Sequence, residues 1–183
     1  MQKSLAEDYG ARTCSPHYSA IKPRVLVEKF LENDAEPQYL VNDYKFFCVN
    51  GEPVFVNAIG HRDICTHTML DQFFDMEWKP LGRDTEQARV KVAPPATLQQ
   101  MIALARKLAA PLPFVRIDFY EVGGRIVFGE FTFTPGMDGF IGSYGEKVLH
   151  LGDRLDISAV PRLRDPQPSW FCLLYTSPSP RDS

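Results

Sequence analysis

The chain has 183 residues, of which 44% are hydrophobic and 23% charged, as expected for one globular domain with a sizeable core. The formal net charge of −3 argues against a general nucleic-acid binder, which needs clustered positive charge. No apolar run approaches the length of a membrane span. The opening MQKSLAEDYG lacks the apolar core of a signal peptide, and the four cysteines show no metal-binding spacing. These features predict a cytoplasmic protein with reduced thiols.

The two ends of the chain differ from its middle. Residues 1–15 are poorly patterned, and we place the domain at residues 16–171. The last segment, CLLYTSPSPRDS, has no hydrophobic period and is similar to a translated sequencing adaptor. We therefore predict that residues 172–183 form a disordered tail that is not part of the natural protein.

The first half of the domain is predicted to form strands. IKPRVLVEKFL, from Ile21 to Leu31, has the β-branched pattern of a strand. YLVNDYKFFCVNGEPVFVNAIG reads as a hairpin, because Asn-Gly separates two β-rich runs. A further short strand is predicted around Asp75 to Lys79.

The second half is predicted to contain a helix between strands. Thr97 is a candidate N-cap, an apolar stripe follows from Leu98 to Ala109, and prolines end the helix. A short helix is predicted near Glu146 to Leu151. The order of strands, helix and strands predicts an α+β fold with a mainly antiparallel sheet and a packed helix.

The stretch FVRIDFYEVGGRIVFGEFTFTPG, residues 114–136, is predicted to be a hairpin whose loop length decides its register. A two-residue turn at Gly123-Gly124 places Asp118 and Glu130 on opposite faces. A three-residue loop places Asp118 opposite Glu130, Arg116 opposite Thr132, and leaves the other face apolar. Burial favours the three-residue loop, because the alternative puts charges in the core.

This register sets two carboxylates side by side, where like charges repel. A positive charge is needed between Asp118 and Glu130. Arg116 is one candidate, and a hard cation such as Mg²⁺, which prefers carboxylate oxygens, is the other. Spacing alone leaves open a solvated Arg–acid network with no metal.

Several segments together resemble the TupA-like ATP-grasp family. RIDFYEVGGRIVFGEFTFTPG looks like the final strand pair of ATP-grasp enzymes, and PRVLVEKFL looks like the hinge between their lobes. HYSAIKPRVLVEKFL, DYKFFCVNG, MEWKPL and GEFTFTPG narrow the resemblance to the TupA-like family. It covers residues 16–152 and implies the C-terminal part of an ATP-grasp fold, an incomplete domain of a longer protein.

The resemblance implies contacts to the nucleotide. Glu28 would accept a hydrogen bond from the adenine amino group, and the backbones of Lys29 and Leu31 would meet the adenine edge. Arg62, in HRD, would contact phosphate or substrate.

The resemblance also implies a metal and phosphate site on the last hairpin. Asp118 and Glu130 would bind Mg²⁺, with Thr132 at a third ligand position where many ATP-grasp enzymes have Asn. Arg116 would hold the transferred phosphate, where a bidentate guanidinium fits best. Lys45, in DYKFF, would contact phosphate or substrate in the same cleft.

The function implied is that of an ATP- and Mg²⁺-dependent carboxylate–amine ligase in cell-surface polysaccharide or teichuronopeptide biosynthesis. Its partners would be a nucleotide and a small-molecule or glycan-precursor substrate. Two alternatives remain open: a glycosyltransferase or phosphoryl transferase of polysaccharide assembly, and a non-catalytic, truncated nucleotide-binding fragment.

Overall fold

The computed structural model describes residues 8–12, 19, 21, 22, 24, 25, 27–110, 112–135 and 150–158. The chain divides into two units, one of residues 1–28 with 159–183 and one of residues 29–158. In the first unit, helix α1 (Tyr9–Arg12) begins where the Asp8 carboxylate accepts a hydrogen bond from the amide of Ala11. The predicted tail, residues 172–183, lies outside the described residues.

The second unit is built on one six-stranded antiparallel sheet. Its strands are β1 (Asp43–Val49), β2 (Glu52–Gly60), β3 (Leu70–Phe74), β4 (Pro80–Leu81), β5 (Phe114–Val122) and β6 (Arg125–Thr132). Their spatial order is β4-β3-β2-β1-β5-β6, and every neighbouring pair runs antiparallel. The predicted α+β class with a mainly antiparallel sheet is confirmed.

Among the described residues of the second unit, three helices accompany the sheet: α2 (Arg83–Gln87), α3 (Leu98–Ala109) and α4 (Leu151–Arg154). The long helix α3 is the predicted one, and it buries Met101, Ile102, Ala105 and Ala109 against one face of the sheet. That face is apolar across β1 and β5, as alternation along a half-buried strand requires. Of the helix predicted at Glu146 to Leu151, residues 146–149 lie outside the described residues, and α4 begins at Leu151.

The N-terminus of α3 is tied to the sheet by Glu121. Thr97 is the N-cap residue, as predicted, but its hydroxyl makes no capping bond within the helix. The Glu121 carboxylate instead accepts hydrogen bonds from the Thr97 amide (2.7 Å), the Thr97 hydroxyl (2.5 Å) and the Ala96 amide (3.3 Å). A negative charge at the N-terminus of a helix also interacts favourably with the helix dipole.

The hairpin of β1 and β2 is confirmed. Its turn residues, Asn50 (φ 49°) and Gly51 (φ 82°), both have positive φ, which is the requirement of a type I′ turn. Asn and Gly are the residues that enter this region at least cost.

The strand predicted from Ile21 to Leu31 is wrong for the described residues of that segment, none of which belongs to a strand. Ile21 and Val27 are 61% and 92% exposed. A strand needs hydrogen-bonded neighbours as well as β-branched residues, and the pattern along one segment cannot show whether a neighbour exists.

The strand predicted at Asp75 to Lys79 is also wrong, because this segment is the connection between β3 and β4. The Asp75 carboxylate accepts hydrogen bonds from the amides of Glu77 (2.9 Å) and Lys79 (2.8 Å). Asp commonly organises turns through such bonds to its own backbone. These local hydrogen bonds hold the segment in a turn, so it does not form the predicted strand.

The β5–β6 hairpin closes with a two-residue turn, so the predicted three-residue loop is wrong. Val122 pairs with Arg125, and the turn residues Gly123 (φ 56°) and Gly124 (φ 70°) have the positive φ values of a type I′ turn. The prediction that Asp118 and Glu130 share a face is nevertheless correct, because a β-bulge restores the alternation of side chains that the prediction assumed.

The bulge lies on β6 beside Asp118. Ile117 pairs with Phe131 and Phe119 with Phe128, so two residues of β6, Gly129 and Glu130, stand against one residue of β5. Because of the extra residue, the strands regain the predicted register on the side of the bulge away from the turn, where Arg116 pairs with Thr132. Asp118 and Glu130 therefore share a face.

We expect Gly129→Val to destabilise the fold by about 1–3 kcal/mol, because the bulge leaves little room for a side chain. A Cβ atom at Gly129 would lie 3.1 Å from the backbone oxygen of Asp118 and 3.0 Å from the Tyr120 ring. Urea denaturation measures the loss. The matched control is Gly123→Asn, at an open type I′ position that accepts Asn. Equal stability of the two variants would contradict the tight bulge.

Candidate functional site

A cluster of charged side chains lies on the sheet face opposite α3. Lys45 on β1 pairs directly with Asp118 on β5, and strand alternation puts Asp43 and Arg116 on the same face. Towards one end this face is apolar and is closed by a small core in which Leu151 of α4 is buried. The charged cluster therefore adjoins a small apolar core on the same face.

Asp118 is the centre of the cluster and is only 1% exposed. Its Oδ2 atom lies 2.6 Å from Lys45 Nζ and 2.8 Å from Arg116 Nη2, and its Oδ1 atom accepts from Arg116 Nε at 2.7 Å. The Arg116 contact is a bidentate, charge-assisted pair, which is the strongest arrangement of these groups. Both carboxylate oxygens are thus satisfied by cations.

Glu130 extends the cluster to the edge strand β6. Its Oε1 atom accepts hydrogen bonds from Arg116 Nη2 (2.8 Å) and from the Thr132 hydroxyl (3.1 Å). The Glu130 side chain is 61% exposed. Arg116 therefore bridges the two carboxylates of Asp118 and Glu130, and it occupies the position where the sequence pattern requires a positive charge.

Asp43 belongs to the cluster and was missed by the sequence reasoning. Its Oδ2 atom lies 2.6 Å from Lys45 Nζ, and the residue is 3% exposed. Its Oδ1 atom is buried and has no hydrogen-bond partner among the described residues. The signal was present in DYK, because residues two apart on a strand share a face.

The pairing of these groups shifts their pKa values. Burial acts to lower the pKa of Lys45, but hydrogen bonds and charges from Asp118 and Asp43 outweigh it, so the pKa rises. The pKa of Arg116 rises for the same reason, through Asp118 and Glu130. Burial raises the pKa of Asp43, partly offset by Lys45. Pairing thus favours the charged forms of Lys45 and Arg116, whereas burial disfavours the charged form of Asp43.

Arg62, predicted as a phosphate or substrate contact, is half-buried in the loop after β2. Its Nε atom is buried and has no hydrogen-bond partner among the described residues. Its positive charge acts to lower the pKa values of Asp43 and Tyr120. Arg62 is thus an electrostatic neighbour of the cluster with an unused donor.

Of the three predicted adenine contacts, Lys29 and Leu31 belong to the second unit but lie outside the cluster. Glu28 is exposed and belongs to the first unit. Lys29 is exposed and Leu31 is half-buried, and in the described part of the chain neither has a hydrogen bond or ion pair to the charged residues. Their role in binding adenine stays a prediction.

The donor set of the cluster suits Mg²⁺ bound together with a phosphate ligand. Within the described residues no group of three or more His, Cys, Asp or Glu side chains could hold a metal ion by itself. Mg²⁺ sites with nucleotides commonly use one or two carboxylates plus phosphate oxygens, and Asp118 and Glu130 provide two carboxylates on one face. Thr132 would add a weaker hydroxyl oxygen.

Lys45→Met is expected to lower the free energy of unfolding by about 3 kcal/mol near neutral pH, because it leaves Asp43 without its ion-pair partner. The folded-state pKa of Lys45 lies above its ordinary value of 10.5. The ion pair therefore contributes fully below that value and is lost as pH rises through the folded-state pKa. Urea denaturation from about pH 8 to about pH 11 should show the difference between the two proteins shrinking at the alkaline end.

The control for this experiment is Lys107→Met, at an exposed position on α3. Its effect should be within about 0.5 kcal/mol at every pH. A difference between wild type and Lys45→Met that stays constant across the pH range would show that the ammonium charge is not the stabilising element.

Comparison with known proteins gives one finding. The family model described as TupA-like ATPgrasp matches residues 1–155. No curated protein and no solved structure matches the chain. No helix among the described residues is long and apolar enough to cross a membrane.

Proposed function

This chain belongs to the TupA-like ATP-grasp family, and we propose that it belongs to an ATP- and Mg²⁺-dependent carboxylate–amine ligase. We further propose that the ligase acts in the cytoplasm, in cell-surface polysaccharide or teichuronopeptide biosynthesis. Proteins of the ATP-grasp family generally bind ATP and Mg²⁺. The assignment of these ligands to particular residues is part of the proposal.

The observation that carries the proposal is the buried network on the sheet face opposite α3. Lys45 and Arg116 converge on Asp118 at 2.6–2.8 Å, and Arg116 continues to Glu130. Two buried carboxylates, Asp43 and Asp118, share two cations, Lys45 and Arg116, and Arg116 also reaches the exposed Glu130. Here Asp118 takes two cations, and Lys45 is also held by Asp43. Such convergence of charge is typical of sites that bind a charged ligand.

The residues divide the work of phosphoryl transfer. Asp118 and Glu130 would hold Mg²⁺, which when bound neutralises charge on the phosphate oxygens. Arg116 and Lys45 would then turn their donors to the phosphoryl group, because positioning and charge neutralisation supply most of the catalysis in such reactions. Asp43 would keep Lys45 in place after Asp118 is engaged elsewhere.

The proposed reaction has two group-transfer steps. A substrate carboxylate oxygen attacks the γ-phosphorus of ATP, the bond to the bridging oxygen of ADP breaks, and an acyl-phosphate forms. An amine nitrogen then attacks the acyl carbon, the bond from carbon to the phosphate oxygen breaks, and phosphate leaves as the amine loses a proton. Arg116 would hold the phosphate through both steps.

Titration of the protein with Mg²⁺–ATP tests the site. We expect Glu130→Gln to weaken Mg²⁺–ATP binding about tenfold or more, since it removes one carboxylate from the metal. The side chain is largely exposed, so the fold should be kept. Asp118→Asn should weaken binding at least as much, but it also removes a buried partner of Arg116, at a cost of about 3 kcal/mol. Circular dichroism of each variant separates these two effects.

The matched control is Glu52→Gln. Glu52 is as exposed as Glu130, and it pairs with Arg106, 2.7 Å from its carboxylate oxygen and outside the cluster. It should bind Mg²⁺–ATP as the wild type does. Unchanged binding by Glu130→Gln would overturn the metal assignment. Normal binding without ATP turnover, in a protein that contains the whole ligase, would favour the non-catalytic alternative.

A further inference from the structure

Two buried polar atoms of opposite kind lie unused at one end of the charged cluster. The Oδ1 atom of Asp43 is an acceptor and the Nε atom of Arg62 is a donor, and within the described residues neither has a hydrogen-bond partner. The whole Asp43 residue is only 3% exposed. A buried donor or acceptor that has lost water without gaining a partner costs free energy, so these two atoms need a physical explanation.

The backbone brings the two residues to the same end of the sheet. Asp43 is the first residue of β1, and it pairs with Ile59, next to the last residue of β2. Beyond the two strands, the amide of Leu40 donates a hydrogen bond to the carbonyl oxygen of Arg62 at 3.0 Å. The segment before β1 and the segment after β2 therefore stay side by side as far as Arg62.

The charge of Arg62 is felt at Asp43 and at its neighbour on β5. Burial raises the pKa of Asp43, and the charges of Lys45 and Arg62 oppose that rise. Burial also raises the pKa of Tyr120, which pairs directly with Asp43, and the charge of Arg62 opposes that rise as well. The ion pair that Asp43 forms is with Lys45, through its other oxygen, Oδ2. Arg62 is thus a nearby cation whose buried donor is still available.

We propose that Arg62 is a positioning residue of the cluster and the second cation partner of Asp43. In the structure, Lys45 Nζ lies 2.6 Å from both Asp43 and Asp118 and so serves two carboxylates. The role in catalysis rests on the proposed function, in which Asp118 turns to Mg²⁺ and Lys45 to phosphate. Arg62 would then pair with Asp43 through the unused Nε and Oδ1 atoms. This pair would keep Asp43 charged and its Oδ2 atom directed at Lys45.

A positioning role differs from the contact to phosphate or substrate that the sequence resemblance implies for Arg62. A direct contact would act on the ligand whether or not residue 43 carries a charge. A positioning role acts only through the carboxylate of Asp43, so it disappears when Asp43 is replaced by Asn. Pairs of substitutions therefore separate the two roles.

The first experiment measures the exchange of partners, with no nucleotide or Mg²⁺ present. Urea denaturation of the full chain compares Lys45→Met, Arg62→Met and the double variant. Arg62→Met alone should raise the equilibrium constant for unfolding less than about threefold, because Lys45 still pairs with Asp43. In the Lys45→Met protein the same substitution should raise that constant about tenfold more, because Asp43 then has no cation partner. Equal effects of Arg62→Met in the two proteins would overturn the proposal.

A triple variant that adds Asp43→Asn guards against a double variant that does not fold. Removing the charge of Asp43 should restore folding, because the unpaired buried carboxylate is then gone, while Asp118 keeps its bidentate pair with Arg116. A double variant that fails to fold and a triple variant that folds would support the proposal. Failure of both variants to fold would overturn it.

Calorimetric titration with Mg²⁺–ATP tests the positioning role. Arg62→Met should weaken binding about tenfold in the otherwise wild-type chain, but it should cause no further weakening in the Asp43→Asn protein. Arg62→Lys keeps the charge without the planar fork, so it should recover part of the affinity. The matched control is Arg106→Met, because Arg106 is exposed on α3 and pairs with Glu52, and it should bind as the wild type does. Equal weakening by Arg62→Met with and without the Asp43 charge would overturn the positioning role and identify Arg62 as a direct ligand contact.

The two experiments fail separately from the proposed function. Partner exchange in urea without any binding of Mg²⁺–ATP by the wild type would overturn the proposed function and the positioning role, and it would leave Arg62 as a structural partner of Asp43. Binding of Mg²⁺–ATP that is lost in Glu130→Gln, without coupling between Arg62 and Asp43 in either experiment, would overturn this proposal alone.

Discussion

The structure of the second unit depends on the burial of one charge, the carboxylate of Asp118. A carboxylate that is 1% exposed is tolerable only when cations and hydrogen bonds replace the water it has lost. Lys45 reaches it from β1 and Arg116 from two residues earlier on β5. The same ion pairs therefore hold β1 beside β5 and determine the packing on the sheet face opposite α3.

The bulge on β6 follows from the same constraint. A regular hairpin closed at Gly123-Gly124 would turn Glu130 towards α3, where a charge has no partner. One additional residue on β6, placed at Gly129, returns Glu130 to the face of Arg116. The hairpin thus keeps the two-residue turn that two glycines favour and still places Glu130 on the same face as Arg116. The close backbone contact at Gly129 is the consequence.

The sequence predicts those parts of the structure whose cause is local. Asn50-Gly51 determines its turn, and the stripe from Leu98 to Ala109 determines a helix, because in each case the deciding residues are neighbours along the chain. The clustering of Arg116, Asp118 and Glu130 was also predictable, since strand alternation allows few arrangements. The shared face of these residues was predicted correctly but from an incorrect loop length, because a rule that assumes regular strand pairing cannot detect a bulge.

The parts that the sequence did not predict depend on distant partners. The segment from Ile21 to Leu31 has a strand pattern but, where described, no strand. Glu121 holds Thr97, the N-cap residue 24 positions earlier, and Lys45 binds Asp118 on the neighbouring strand, 73 positions further along the chain. Such contacts arise from pairing order, which composition and period do not contain.

The charges of the cluster constrain how a ligand can enter it. Three carboxylates, Asp43, Asp118 and Glu130, already share two cations, Lys45 and Arg116, and the charge of Arg62 acts on Asp43 as well. On the proposed assignment, a phosphate alone would have to draw Lys45 and Arg116 away from carboxylates that are left unpaired. Mg²⁺ alone would face two cations already in place. On that assignment, the two ligands entering together would allow every charge to exchange one partner for another, and because Asp118 is buried this paired exchange would be the least costly route.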